Sequence, residues 1–311
     1  MTTTSRSQIF VGRRSSVVLI TAWAVVLLIS QLPIIFFREV LHTPMPWLPW
    51  PQVCLLAIGL LLSLVVHAQH PLRQLQLFFA LFLALYLAQW AVNTVAVQLQ
   101  TQRVISTTDG SFVNSLAFSQ VQRLGVALIM LAASWLLMRQ RSAFFFTVGK
   151  LDAPAAPIKF VGMTRPSTWN KLGPMMALGL AGGLTAFIVI AGGAPLANLP
   201  KALPLLPFVV LFAVLNAFGE EMSYRAPQLG ALAPVVGGGQ SLLMTSVYFG
   251  IGHFYGVPYG IVGVVMAGLL GWLLGRSMLE TKGFFWAWLI HFVMDTVIFT
   301  FMAVGSVTPG G

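Results

Sequence analysis

Five acid–base residues and one arginine lie where ionisable groups are expensive. Glu220, Glu221 and Arg225 sit in one apolar run, His253 in a second, and His291 and Asp295 in a third. On insertion scales a charged side chain at the centre of a bilayer costs about 2.5–3.5 kcal/mol, so each calls for a partner or a task. Their spacings are helical. Glu221 and Arg225 are four apart and can pair on one face, offsetting part of the burial cost. Glu220 is turned about 100° from Glu221, so it can face a bundle interior separately. Phe249 and His253 are four apart, as are His291 and Asp295. Such a His/Asp pair lets the carboxylate orient the imidazole, or lets both groups reach one ion. Three kinds of chemistry suit the set: an acid–base site, an ion site, or a proton relay across a membrane. The bland reading of each part alone is a staple between helices, but two glutamates, two histidines and an aspartate from three runs make a site the stronger reading.

The elements that must position these residues are membrane helices. Charged residues make up 8% of the 311 and hydrophobic ones 58%, with a mean hydropathy of +0.87. A soluble domain carries about 25% charged residues. This excludes a soluble enzyme, a disordered chain and a nucleic-acid binder, despite a net charge of +10. The single cysteine, Cys54, excludes an intramolecular disulfide and a thiolate metal cluster. A spanning helix needs about 20 mostly apolar residues. Apolar stretches place spans near Val17–Phe37, Trp50–Val66, Leu75–Val97, Val121–Met138, Gly173–Ala191, Leu203–Leu229, Ser241–Gly256, Ile261–Gly275 and Phe284–Val304. The first is too long for a signal peptide and lacks a small-residue cleavage pattern. The expected fold is therefore an all-α polytopic membrane protein, a bundle of about nine transmembrane helices (eight to ten). It divides into a four-helix region (1–138), a basic, Pro-containing cytoplasmic linker (139–172) and a membrane domain (173–311) that holds the buried charges. The glycine pairs Gly179/Gly183 and Gly271/Gly275 fit close helix packing. The Phe144–Phe146 and Phe284–Trp288 stretches read as interface anchors.

Loop charge sets the expected orientation. With the N-terminus inside, the cytoplasmic segments hold Arg6, Arg13, Arg14, Arg73, Arg139, Arg141, Lys150, Lys159, Arg165, Lys171, Arg276 and Lys282. The outside loops hold Arg38, Arg103, Arg123 and Lys201. Twelve against four is a positive-inside bias, and nine spans then leave the Gly311 end outside. With the sixth span running to Leu229 and a cytoplasmic turn at Gly230–Gly239, Glu220 lies about 15 Å from that turn. His253 and His291 lie about 20 and 13 Å above the same side. The three are expected to face one polar cavity, open towards the cytoplasm.

In order and spacing these residues resemble three signatures of the CPBP family of intramembrane proteases. Phe218-Gly-Glu220-Glu221-Met-Ser-Tyr-Arg225 has the EExxxR form, Phe249-Gly-Ile-Gly-His253 the FxxxH form, and His291-Phe-Val-Met-Asp295 the HxxxN/D form. That family includes the CAAX prenyl endopeptidases of eukaryotes and bacterial Abi-type proteins linked to bacteriocin processing and self-immunity. The resemblance covers roughly residues 170–304 and implies peptide-bond hydrolysis inside the membrane. It implies that Glu220 and His253 activate the attacking water, and that His291 and Asp295 stabilise the tetrahedral oxyanion. Glu221 and Arg225 would hold the first glutamate, with Phe249 in support. Asp295 stands where the endopeptidases typically have Asn, and could instead orient His291. The substrate would be a membrane-associated or lipid-modified peptide or protein, and the setting a cell membrane, read here as a bacterial inner membrane.

The favoured reading is a glutamate-type site without a cofactor. Its alternative is zinc held by Glu220, His253 and His291, a set of two nitrogens and a carboxylate that leaves one position for water. The HExxH arrangement is absent, and Asp295 as a fourth ligand would close such a site. Outside hydrolysis, the competing classes are a non-catalytic immunity or scaffold protein and a transporter. A transporter should show inverted repeats with broken helices, and no repeat is visible.

Overall fold

The computed structural model describes residues 16–102, 111–159 and 162–307. Arg6, Arg13, Arg14, Arg103, Asp109 and the Gly311 end lie outside the described residues. Within a bilayer every backbone polar group must be satisfied inside the chain, which leaves helices as the economical solution for apolar runs of this length. Each of the nine apolar stretches is largely helical, with breaks at Ser30–Gln31 and Arg225 and a loop from Gly252. In chain order the helices are α1 (Ser16–Ile29), α2 (Leu32–Val40), α3 (Pro49–Val65), α4 (Gln76–Thr101), α5 (Phe112–Met138) and α6 (Trp169–Ile190). There follow α7 (Leu206–Tyr224), α8 (Ala226–Val236), α9 (Gly238–Ile251), α10 (Ile261–Thr281) and α11 (Phe285–Ser306). The chain is thus an all-α integral membrane protein. Among the described residues six segments are long and apolar enough to cross a membrane, or seven if α1 and α2, bent by 48°, count as one. The expected number of about nine is higher because α3 has 17 residues and α9 has 14, so both fall short of an ordinary span.

The ends of the helices are written into the sequence. Proline stands in the first turn of α2, α3, α7 and α8, where its missing N–H is no loss. Ser111 caps α5, its hydroxyl accepting from the Asn114 amide at 3.2 Å. The final carbonyls of α1 have no intrahelical donor. Gln52 of α3 donates to Leu28 and Ser30 at 3.0 and 2.9 Å, and the Tyr86 hydroxyl of α4 donates to Ile29. Three helices are thereby tied together where the chain bends.

The sixth stretch does not run unbroken into a loop at Gly230–Gly239. It breaks at Arg225 (φ −129°, ψ −62°), resumes as α8, and turns at Gly237 (φ 85°) directly into α9. Pro227 explains the break, because it cannot donate to the Ser223 carbonyl four residues back. The Gln228 side chain makes that bond instead, at 2.8 Å.

The bundle has two distinct ends. At one, the segment between α5 and α6 folds back rather than running free. Its strands β1 (Pro154–Ala155) and β2 (Ser167–Thr168) pair antiparallel, and its backbone bonds to the α10–α11 turn through Lys150 N to Thr281 O (2.8 Å) and Phe284 N to Thr147 O (2.7 Å). Phe144, Phe145, Phe284 and Trp286 are buried there; Phe144 stacks on Phe146, which meets Phe218 and Phe284 edge-on. These aromatics, expected at the membrane interface, are packing residues instead. At the opposite end lie the α1–α2 bend, the turn into α3 and the loop 252–260 between α9 and α10.

The glycine pairs also separate. A Cβ at Gly179 or Gly183 would meet nothing within 4 Å, so neither marks a helix contact. Gly271 and Gly275 form a notch in α10 that holds Arg225: a Cβ at Gly271 would lie 3.1 Å from Arg225 Nη2, and one at Gly275 would lie 2.7 Å from Leu242 Cδ1. Gly275→Val is therefore expected to destabilise the protein by about 1–3 kcal/mol through overpacking, seen as a lowered thermal midpoint of the detergent-solubilised protein. Gly179→Val should leave it unchanged.

Candidate active site

Helices α7, α9 and α11 supply the site, as the three signatures require, and α5 adds a residue that sequence reasoning missed. Arg123 counts by sequence with the outside loops. In the structure α5 begins at Phe112, eleven residues earlier, so Arg123 lies inside the helix and its guanidinium is ion-paired with Glu220. Asn216, one turn before Glu220 on α7, donates to Glu220 Oε1 at 3.3 Å and to Asp295 Oδ2 at 3.0 Å. The available signals were an arginine within an apolar run and a carboxylate, Glu220, left over once Glu221 pairs with Arg225.

Glu221 and Arg225 form the expected pair, both fully buried. The Arg225 guanidinium also sits over the Phe249 ring, 4.4 Å from its centre, a contact that strengthens when water is excluded. Glu221 does not hold Glu220. Its Oε1 accepts from His291 Nδ1 at 2.7 Å, so Glu221 fixes the orientation of His291. Asp295 is farther from that ring, with Oδ2 3.7 Å from Nε2, and Glu220 Oε2 lies 3.6 Å from the same nitrogen. Both ring nitrogens of His291 therefore face carboxylate oxygens, which can only accept when ionised.

His253 lies just beyond the end of α9. Its Nδ1 is 2.8 Å from the Phe249 carbonyl. A carbonyl only accepts, so Nδ1 carries the proton and Nε2 is left as the basic nitrogen. The Phe249 ring is 4.4 Å from the His253 ring and 6.2 Å, edge to face, from His291. Phe249 is the common spacer between both histidines and Arg225.

Glu220 and His253 line one cavity of about 980 Å³, together with Arg123, Tyr224 and Tyr248. His291 and Asp295 lie behind Glu220 and do not line it. The cavity extends from mid-bundle to the end formed by the α1–α2 bend, the start of α3 and the loop 252–260, where Ser30, Pro49, Trp50, Gly252 and Tyr255 border it. That is the end opposite the 139–168 segment. Helix ends can be read from sequence, but the space between helices depends on which of them splay apart.

The residues named for a zinc ion, Glu220, His253 and His291, have other partners in the structure. Among the described residues no group of three or more His, Cys, Asp or Glu side chains is spaced to hold a metal ion. His291 is hydrogen-bonded to Glu221, and Glu220 is covered by Arg123 and Asn216.

No curated protein and no solved structure matches this chain. A family model does. Residues 202–297, which hold Glu220, His253, His291 and Asp295, match the family described as type II CAAX prenyl endopeptidase Rce1-like. Over those residues, about a third of its length, the chain is similar to the CAAX-type intramembrane proteases of the Rce1-like family.

Proposed function

We propose that this protein is an intramembrane endopeptidase of the glutamate type, cleaving a peptide bond of a membrane-associated substrate drawn into the cavity. The observation that carries the reading is the presence of two proton acceptors from different helices, Glu220 and His253, on the wall of one cavity within the family-matched region. Substrate carbonyl and water meet there. Glu220 and the Nε2 of His253 take the proton from water as it attacks, and return it to the leaving amine. Arg123 and Asn216 hold the Glu220 carboxylate in place. His291, oriented by Glu221, backs the Glu220 carboxylate from outside the cavity, its Nε2 3.6 Å from Glu220 Oε2, with Asp295 tied to Asn216 as the next member of the network. Every step uses protein groups. The chain is read as a multi-pass protein of a bacterial inner membrane with its N-terminus in the cytoplasm.

Comparison of the membrane proteome and its released peptides between wild type and His253→Ala tests the reading. Cleavage products present only with the wild type, at equal protein levels, support it. Identical peptide profiles would place the protein among non-catalytic scaffolds. Arg123 gives a sharper measurement. A hydrogen bond to a charged group contributes about 1.5–3 kcal/mol, so Arg123→Ala is expected to lower kcat by roughly 10- to 100-fold with KM little changed, and Arg123→Lys should recover part of the loss. A change confined to KM would instead make Arg123 a substrate-binding residue.

A further inference from the structure

We infer that a row of amide side chains, Gln89 and Asn93 on α4 and Gln122 on α5, forms a subsite that holds the main chain of an extended, non-helical substrate segment beside Glu220. That the segment is then cut rests on the hydrolase reading above; the binding does not. Place, pairing and spacing carry the inference.

Between α4, α5 and α7 lies a pocket of about 170 Å³, bordered by the three amides together with Ser223, Tyr224 and Glu220. The three amides also border the large cavity, as do Glu220 and Tyr224, so the pocket is an arm of that cavity. Gln89 falls at the middle of α4, and Gln122 within a turn of the middle of α5. An amide costs most at that depth when it has nothing to bond. Gln89 has one partner: its Nε2 donates to the Tyr224 hydroxyl at 2.9 Å. Among the described residues neither Asn93 nor Gln122 has a hydrogen-bond partner for its side chain. They therefore do not staple α4 to α5, and each offers both donors and an acceptor to the pocket.

The spacing suits one kind of ligand. Gln89 and Asn93 are four apart on one helical face, a rise of about 6 Å. In an extended chain the groups on one side recur every second residue, about 6.6–6.8 Å. The amides of a helical segment are already bonded within it and have nothing to give the row. An extended segment exposes N–H and C=O groups that both side chains can meet, as a sheet edge does when a peptide is added to it. Gln122, on the neighbouring helix, adds a third such group. Tyr224, bonded to Gln89, lies one turn after Glu220 on α7 and fixes the row relative to the proposed base. Selection then acts on main-chain conformation, favouring segments that glycine or proline keeps out of a helix, whatever their side chains.

Probe binding to the full-length, detergent-solubilised protein tests this. A His253→Ala background leaves the pocket lining untouched and is not expected to cut the probe. The probe is a Leu/Ala peptide of about 20 residues with Gly-Gly at its centre and a benzophenone beside it; photocross-linking against concentration gives its Kd. A second probe carries esters in place of the central amides, which removes their N–H donors. The unsubstituted row should bind the ester probe several-fold more weakly than the amide probe. Asn93→Leu and Gln122→Leu, which break no hydrogen bond of the fold, should each weaken the amide probe roughly 2- to 10-fold, the range of one ordinary hydrogen bond. Each should also shrink the preference for amide over ester. Equal weakening of both probes, no effect of either variant, or no saturable binding to the unsubstituted row would overturn the inference. If the preference behaves as expected while the peptides released from membranes do not differ between wild type and His253→Ala, the subsite stands and the hydrolase reading falls. If cleavage is found without the preference, the hydrolase reading stands and the subsite falls.

Discussion

Replacing Glu220 with glutamine is expected to reduce kcat/KM by about 10²- to 10⁴-fold, the range that general acid–base groups contribute. The amount of folded protein in the membrane should stay close to wild type. The two parts of this expectation have separate grounds. Glutamine keeps the size and acceptor oxygen that Arg123 and Asn216 contact, but cannot take a proton from water. The charge left behind is that of Arg123, whose side chain is 44% exposed in the structure and can turn towards the cavity. The measurement is single-turnover cleavage by the purified protein in lipid, normalised to folded protein by size-exclusion chromatography. Cleavage at the wild-type rate would remove Glu220 from the chemistry and leave His253 as the base.

Arg225→Leu should have the opposite profile. Both partners of the Arg225–Glu221 pair are fully buried. Removing one partner of a buried pair costs about 3–5 kcal/mol, because the remaining charge keeps its desolvation penalty and loses its compensation. The carboxylate would be left with His291 alone, and the notch between Gly271 and Gly275 would lose the side chain it holds. The expected outcome is a large loss of folded protein. Neutralising both partners, Glu221→Gln with Arg225→Leu, should recover much of the fold, since replacing a whole buried pair is often close to neutral. It should not recover activity, because the ionic anchor of His291 is gone. Recovery of both would show that Glu221 has no part in orienting the histidine.

The charged residues within apolar runs are legible in sequence because burial makes them conspicuous. Glu220, Glu221, Arg225, His253, His291 and Asp295 stand out on cost alone; α7 and α11 carry four of them, Arg225 sits at the break after α7 and His253 just beyond α9. Arg123 did not stand out, because its place depends on where α5 begins. Polar residues such as Asn114, Ser115 and Gln120 read as loop, yet they extend the helix to Phe112. Asn216 is neutral and raises no alarm in a membrane helix, though it bridges two carboxylates. Burial of Phe144 and Trp286 was hidden for a related reason, since an aromatic at a helix end suits an interface and a packed turn equally. Pairing choices were harder still. Spacing allowed His291 to be oriented by Asp295 or by Glu221, and only the relative rotation of α7 and α11 decides for Glu221. The reach of the cavity depends on how far the helices splay apart, which hydropathy does not report.

The packed layer where the 139–168 segment folds onto the α10–α11 turn also has an electrical meaning. A membrane potential falls mainly across whatever insulates, and each elementary charge moved through 100 mV changes energy by about 2.3 kcal/mol. A wet cavity on the Glu220 side of that layer would leave most of the voltage drop to the layer itself. Proton transfers on the cavity wall would then cross little of the field, and the hydrolysis proposed above is expected to run at the same rate in energised and de-energised vesicles.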